Sequence, residues 1–284
     1  MPSQTTQRPS CDQWARFEKS AWLSIALLGA FGLCSLNARG QASPATSSSG
    51  VSRTAKAVTY RRGGVARVPL QGTNLLPGAV GDARIENKGN RVEIEARFDG
   101  FVPATKFGFE YLTYALWAVS PQGRAVNLGE VQIKNGSAQV KAITDMQTFG
   151  LVVTAEPYFA VSQPGDEVVL ENAADAGGET IGAKYELVPH GVYSSSNTKI
   201  ENLIFGIDRK TPIELFQARN AVRIARRLGA ERLAPDALEK AVRLLSEAEQ
   251  QYRDDDKSQT VLKAREATEA AEAARLLASQ GESE

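Results

Sequence analysis

Residues Arg91–Phe98 read RVEIEARF. Val92, Ile94, Ala96 and Phe98 alternate with Arg91, Glu93, Glu95 and Arg97. A period of two places the apolar set on one face of a strand and the charges on the other. The stretch therefore predicts a β-strand with one face buried and one wet. Outward from it the same logic holds. Tyr111–Val119 (YLTYALWAV) is rich in aromatic and other β-favouring residues and is turned by Ser120-Pro121-Gln122-Gly123. Val126–Ile133 predicts the next strand. Asn135-Gly136, between VQIK and SAQVKAI, predicts a tight hairpin, because this pair accepts positive φ angles at low cost. Phe149–Thr154 is a continuous apolar run, as expected of a central strand. Glu167–Glu171 and Ile181–Val188 supply two more. Strands separated by Gly/Pro turns, with no helical period, predict an N-terminal antiparallel β-sandwich or barrel of about seven to nine strands over residues 57–192.

The period changes at Thr211. Thr211-Pro212-Ile213-Glu214 predicts a capped helix start, with Thr211 as cap and Pro212 at the first helical position. Gly229 suits its end. Pro235 opens a second helix with Leu238, Ala241, Leu245, Ala248 and Tyr252 on one stripe. Asp256, three residues before Gln259, can cap a third. That third helix carries Thr260, Ala264, Ala267, Ala271, Ala274 and Ala278 at spacings of four and three. Alanine at these positions lets helix axes approach closely. It also buries little apolar area, so the stripe should lean on Leu262, Leu276 and Leu277, on the β-region, or on a partner helix. The expected fold is mainly β plus α: the sandwich, a connector over 193–210, and a C-terminal α-helical hairpin or three-helix segment over 211–284. In the connector, Ile200, Leu203, Ile204 and Phe205 could dock it onto the rest.

The N-terminal stretch reads as an export signal. Arg16 and Lys19 precede an apolar run, Ala21–Leu36, and Gly40 and Ala42 set small residues where a signal peptidase reads. Cleavage is expected after Ala42, giving a signal peptide over 1–42 and a disordered, small and polar linker over 43–56. Residues 21–36, if left uncleaved, would instead anchor the chain in a membrane, although the run is shorter than a standard span. Leu33 before Cys34, and Phe31 two residues earlier, do not make a lipobox.

Composition narrows the chemistry. The 284 residues hold 33 Lys+Arg against 33 Asp+Glu, with one histidine and two cysteines. Without the signal, 29 basic and 31 acidic residues remain, so bulk charge gives no reason to expect a nucleic-acid partner. Both cysteines, Cys11 and Cys34, lie in the signal, so the mature chain is expected to have no disulfide and no thiol ligand or nucleophile. No phosphate-binding glycine loop and no nucleophile-elbow motif is present in the sequence. His190 follows Pro189 at the end of the last β-segment; a catalytic role would need a nucleophile and an orienting acid, and the sequence points to neither. It is read as an ordinary surface or hydrogen-bonded histidine. Asp254-Asp255-Asp256 fails the calcium-loop pattern, because Gln259 and Arg265 stand at its sixth and twelfth positions. It is read as a turn that charges the next helix start. Trp117, Tyr111 and Tyr114 are read as core. Arg219, Arg223, Arg226 and Arg227 are read as a solvated helix face, and Arg53, Lys56, Arg61, Arg62 and Arg67 as a solvated basic segment; either set could alternatively meet an anionic polymer or lipid. No catalytic, cofactor-binding or metal-binding residue is assigned, and no cofactor is expected.

Tyr114–Arg124 (YALWAVSPQGR), continuing through Asn127-Leu128-Gly129-Glu130, and Phe149–Pro157 (FGLVVTAEP) resemble a β-domain of exported bacterial envelope proteins of acidobacterial type, with a looser likeness to the outer domain of anti-sigma-factor-like membrane proteins. Ala218–Ala278, with Gly229-Ala230-Glu231-Arg232 and Ala234-Pro235 leading into a Leu/Ala/Glu helix, looks like a helical envelope domain of unknown function whose relatives often precede an OmpA-like domain. The resemblance implies an envelope location and no catalytic residues. The expectation is a non-enzymatic exported cell-envelope protein, periplasmic or envelope-bound, whose β-sandwich is a binding or scaffold module. Its helices would be an interaction arm, either for self-association or for another envelope protein. The alternatives are a membrane-anchored regulator of the anti-sigma type and a wall hydrolase working through two carboxylates.

Overall fold

In a computed structural model, residues 51–173, 179–193 and 210–281 are described. The expected signal peptide, both cysteines, the apolar connector residues and most of the linker lie outside them.

Among the described residues ten strands run in chain order: β1 (Val51–Thr59), β2 (Val65–Gly72), β3 (Val80–Asn87), β4 (Val92–Asp99), β5 (Thr113–Val119), β6 (Ala125–Glu130), β7 (Ala138–Thr144), β8 (Thr148–Glu156), β9 (Val168–Asn172) and β10 (Thr180–Leu187). Five helices follow among the described residues: the single turn α1 (His190–Tyr193), then α2 (Ile213–Arg227), the single turn α3 (Ala230–Leu233), α4 (Pro235–Arg253) and α5 (Lys257–Gly281). Every strand pairing is antiparallel. The main path is β6-β5-β8-β9-β2-β3-β4-β7. β6 and β7 approach each other at its ends, so the sheet is nearly closed and barrel-like. β1 joins β8 at Val58 and Thr59, on the edge that β9 uses further along, and carries β10 on its other side.

The alternation that defines β4 is observed as expected. Val92, Ile94, Ala96 and Phe98 are buried, and Arg97 and Asp99 are exposed. β5 is buried at every position, as is β8 beyond Thr148, which explains why their sequences run almost continuously apolar. Trp117, Tyr111 and Tyr114 are core residues, and Trp117 Nε1 donates to Thr154 Oγ1 at 2.7 Å.

Several expectations need adjustment. The linker does not reach residue 56, because β1 starts at Val51. Ala55 and Ala57 are buried there and pair with Ala183 and Ile181 of β10. The strand over 126–133 ends at Glu130. Asn135 (φ 53°) and Gly136 (φ 83°) do make the tight turn, but only Lys134 and Ser137 pair across it. Its arms separate because β6 belongs to β5 and β7 to β4. At the start of α2, Pro212 rather than Thr211 is the N-cap, and Thr211 Oγ1 donates to Tyr252 Oη at 2.8 Å.

Other helix signals are observed where expected. Gly229 takes the left-handed conformation (φ 85°) after α2, Pro235 opens α4, and Asp256 Oδ1 accepts from Gln259 N at 3.0 Å. All six residues of the small-residue stripe on α5 are fully buried. Leu262 and Leu277 are half exposed, so the stripe does not lean on them. It is closed by α2 and α4 within the same chain: Ala264 and Ala267 pack with Leu215, Ala218 and Ala248. Ala271, Ala274 and Ala278 belong to one apolar core that is continuous with the strands.

Candidate functional site

The polar groups that join helices to sheet are set by the loop between β8 and β9. The β5–β6 register slips between Leu116, opposite Gly129, and Trp117, opposite Asn127, and at this irregularity the Asn127 side chain accepts Gly129 N and donates to Phe159 O and Val161 O at 2.9 and 2.8 Å. This fixes the loop from inside the sheet. The helices fix it from outside. Gln217 Oε1 of α2 accepts Phe159 N, and Asn220 Nδ2 donates to Glu110 O and Pro157 O. Glu272 of α5 accepts Tyr158 Oη (2.7 Å), Ser162 N (2.9 Å) and two bonds from Arg275 (2.7 Å each). Glu272 and Arg275 are both buried, so the pair is worth having only because these further bonds replace lost solvent.

At the far end of this loop lies a cluster built from four separate parts of the chain. Pro164–Glu167 runs beside Val188–His190. Val188 N donates to Pro164 O, Asp166 N to Val188 O, and His190 N to Asp166 Oδ2 (2.9 Å). The His190 ring then meets three groups. Tyr111 Oη stands 2.8 Å from Nδ1, Glu110 Oε1 3.1 Å from Nε2, and Glu167 Oε1 3.4 Å from Nδ1. The set is mutually consistent when Tyr111 donates to Nδ1 and Nε2–H donates to Glu110. Behind them lies Glu156, fully buried, whose Oε1 accepts Thr154 Oγ1 and Gly165 N.

Burial and mutual repulsion set the ionisation. Burial pushes the Glu156 carboxyl up to about 8, despite the bonds from Gly165 and Thr154, and the charges of Glu272 and Asp166 act in the same direction. Burial also raises Glu167, helped by the Asp166 charge and opposed by His190. The Tyr111 hydroxyl is raised by burial and then by Glu167, Asp166, Glu110 and Glu156, which places all four carboxyls around it.

His190 therefore has the orienting acid that the sequence did not reveal, and it is also the hydrogen-bonded histidine that was expected. Its hydroxyl neighbour, Tyr111, is fully buried and held in its neutral form, so it is not a nucleophile. The basic stripe on α2 is solvated only in part: Arg226 and Arg227 are exposed, whereas Arg219 and Arg223 are half-buried. Arg219 pairs with Glu249 at 3.1 Å, and Arg226 with Glu231 at 3.5 Å. Arg223 donates to Tyr193 O, and Arg227 to Gly191 O and Val192 O, so these two hold α1 against α2. Arg53, in the other basic segment, pairs with Glu171 at 3.1 Å. Lys56, Arg61, Arg62 and Arg67 are exposed. Asp254–Asp256 is the turn between α4 and α5, with Asp255 at φ 59°.

Glu110, Glu156, Asp166 and Glu167 went unmarked because no spacing connects four acids contributed by two loops and a strand end. The only local pointer was Asp166-Glu167, two acids directly before the apolar Val168-Val169-Leu170. The chain matches no protein-family model and no curated protein. Among the described residues no helix is long and apolar enough to cross a membrane.

Proposed function

We propose that the protein is a non-enzymatic exported envelope protein in which the β-domain, a sandwich formed by folding one curled sheet on itself, is a rigid binding or scaffold module braced by its own helices. The observation that carries this reading is the use of the polar groups at the helix–sheet seam. Glu130 accepts Arg265, Gln217, Gln132 and Thr113, and Glu272 accepts Arg275, Tyr158 and Ser162. Acids committed in this way hold elements together. Glu156, whose pKa of about 8 would suit a general acid, is sealed from solvent and from any wall polymer. That argues against the two-carboxylate hydrolase.

Export rests on Arg16, Lys19 and the apolar Ala21–Leu36 run, and the envelope address also on the resemblance of residues 114–130 and 218–278. An interaction role for the helices falls to the outward side of α5, where Leu262 and Leu277 stand half exposed, because the alanine stripe is already filled. N-terminal sequencing of the native protein from fractionated cells tests the address. A start at Ser43 in the periplasmic fraction is expected. An intact N-terminus in the membrane fraction would favour the anchored regulator. Turnover of peptidoglycan by the purified protein would overturn the non-enzymatic reading.

A further inference from the structure

Asp166, Glu167 and His190 each present a ligand atom, and these atoms lie within 4.8 Å of one another. We propose that the three bind a divalent first-row transition ion of the zinc class. Two buried oxygens give the site a need for a cation. Asp166 Oδ1 and Glu156 Oε2 are shut off from solvent, and neither has a hydrogen-bond partner among the described residues. Glu156 is completely buried and lies against the residue before Asp166: Gly165 N donates to its Oε1, and its Oε2 is 3.2 Å from where a Cβ on Gly165 would stand. A buried carboxyl oxygen without a partner costs free energy that a cation beside it recovers. Glu110 adds a further carboxylate on the far side of the ring.

The ligands are also held in place without help from the ion. The Gly165–Val188 bridge, its two flanking backbone bonds and the bond from His190 N to Asp166 Oδ2 fix one ligand segment to the other. Nδ1 faces Glu167, and Glu110 accepts from Nε2–H. A carboxylate on the second nitrogen fixes the ring and makes the first a better donor, which is the usual support of a metal-bound histidine. On binding, Tyr111 Oη gives up its bond to Nδ1. The donor chemistry chooses the metal class. One imidazole with two carboxylates suits zinc or its neighbours, whereas calcium and magnesium prefer larger all-oxygen sets. The imidazole is 42% exposed, so an ion has a path in and water can complete its coordination.

The test is calorimetric titration of zinc chloride into the chelator-treated full chain carrying Cys11→Ser and Cys34→Ser, so that no thiol competes. One ion per chain is expected. Asp166→Asn/Glu167→Gln should abolish the binding, and Glu110→Gln, which removes only the support of the ring, should weaken it about 10-fold to 100-fold. Calcium in place of zinc should bind at least about 10-fold more weakly. Far-UV circular dichroism checks that the variants fold. No saturable one-to-one binding to the parent chain overturns the proposal, whatever the variants do. So does zinc binding that persists unchanged in a folded Asp166→Asn/Glu167→Gln chain.

Discussion

The Arg265 guanidinium lies 3.7 Å above the centre of the Phe159 ring and donates to Glu130 Oε2 at 2.9 Å. One α5 side chain thus grips both the β8–β9 loop and the end of β6. Burial alone would raise the Glu130 carboxyl. The bonds from Arg265, Gln217, Gln132 and Thr113 outweigh it and hold the group below its ordinary range. Arg265→Ala leaves that buried carboxylate short of a cation and removes a cation–π contact. It should destabilise the protein by about 2 kcal/mol, a value discounted because the arginine is partly exposed. Urea unfolding at pH 7 measures this. A depressed carboxyl contributes stability above its unfolded pKa and loses it as pH falls through the folded value. The gap between wild type and Arg265→Ala should therefore narrow as pH is lowered below about 4.5, the ordinary glutamate value, leaving the cation–π part.

Glu156 has the opposite sign. Its folded pKa of about 8 exceeds the ordinary 4.5, so its contribution is full below about 4.5 and is lost as pH rises to about 8. Glu156→Gln keeps an oxygen for Thr154 and Gly165 and cannot ionise. With divalent ions chelated, it should match wild type near pH 4.5 and be more stable at pH 8, by on the order of 2–4 kcal/mol. Equal stability of the two proteins at pH 8 would contradict the burial assigned to this carboxyl.

Glu272 and Arg275 form a buried pair at 2.7 Å. Removing one partner leaves the other charge uncompensated in the interior. Glu272→Ala should cost about 3–5 kcal/mol, and Glu272→Ala/Arg275→Met should recover part of that loss. A double variant worse than the single one, measured by chemical denaturation, would mean that the packing of Arg275 and its bond to Ser162 Oγ outweigh the cost of its uncompensated charge.

The alanine stripe makes a contrasting pair of predictions. Ala267 is fully buried between α2 and α4, so Ala267→Leu should overpack the seam and cost about 1–3 kcal/mol. Leu262 is half exposed, so Leu262→Ala should change monomer stability by no more than about 0.5 kcal/mol. Thermal melts of the two variants compare them directly.

Much of this architecture was legible because it is periodic. The alternation in Arg91–Phe98 gave β4, and the four-three spacing from Thr260 to Ala278 gave the small-residue seam of α5, but not the buried Thr268, Glu272 and Arg275 beside it. β1, β2 and β3 were not assigned individually, because their inward residues are few or small: Ala55 and Ala57 in β1, Ala83 in β3. Of the candidate site only His190 and Tyr111 were singled out in the sequence, each for a structural role and neither connected to the other. Its residues come from positions 110, 156, 166–167 and 190, and only the folded chain brings them to one place. The arginines on α2 were only partly legible, for a related reason: Arg226 and Arg227 are exposed as expected, but the stripe also carries bonds that a purely solvated face would not. A basic stripe looks the same in sequence whether it faces water or, like Arg223 and Arg227, the backbone carbonyls of α1.

The central claim is that helices and sheet are one cooperative body rather than a domain with a detachable arm. Replacing Trp14 and Trp22 with Phe leaves Trp117, in the middle of β5, as the sole tryptophan. Urea unfolding is then followed by Trp117 fluorescence for the sheet and by helical circular dichroism for α2, α4 and α5. The two transitions should coincide in midpoint and slope. Helices that melt at distinctly lower urea, while Trp117 remains buried, would contradict the account.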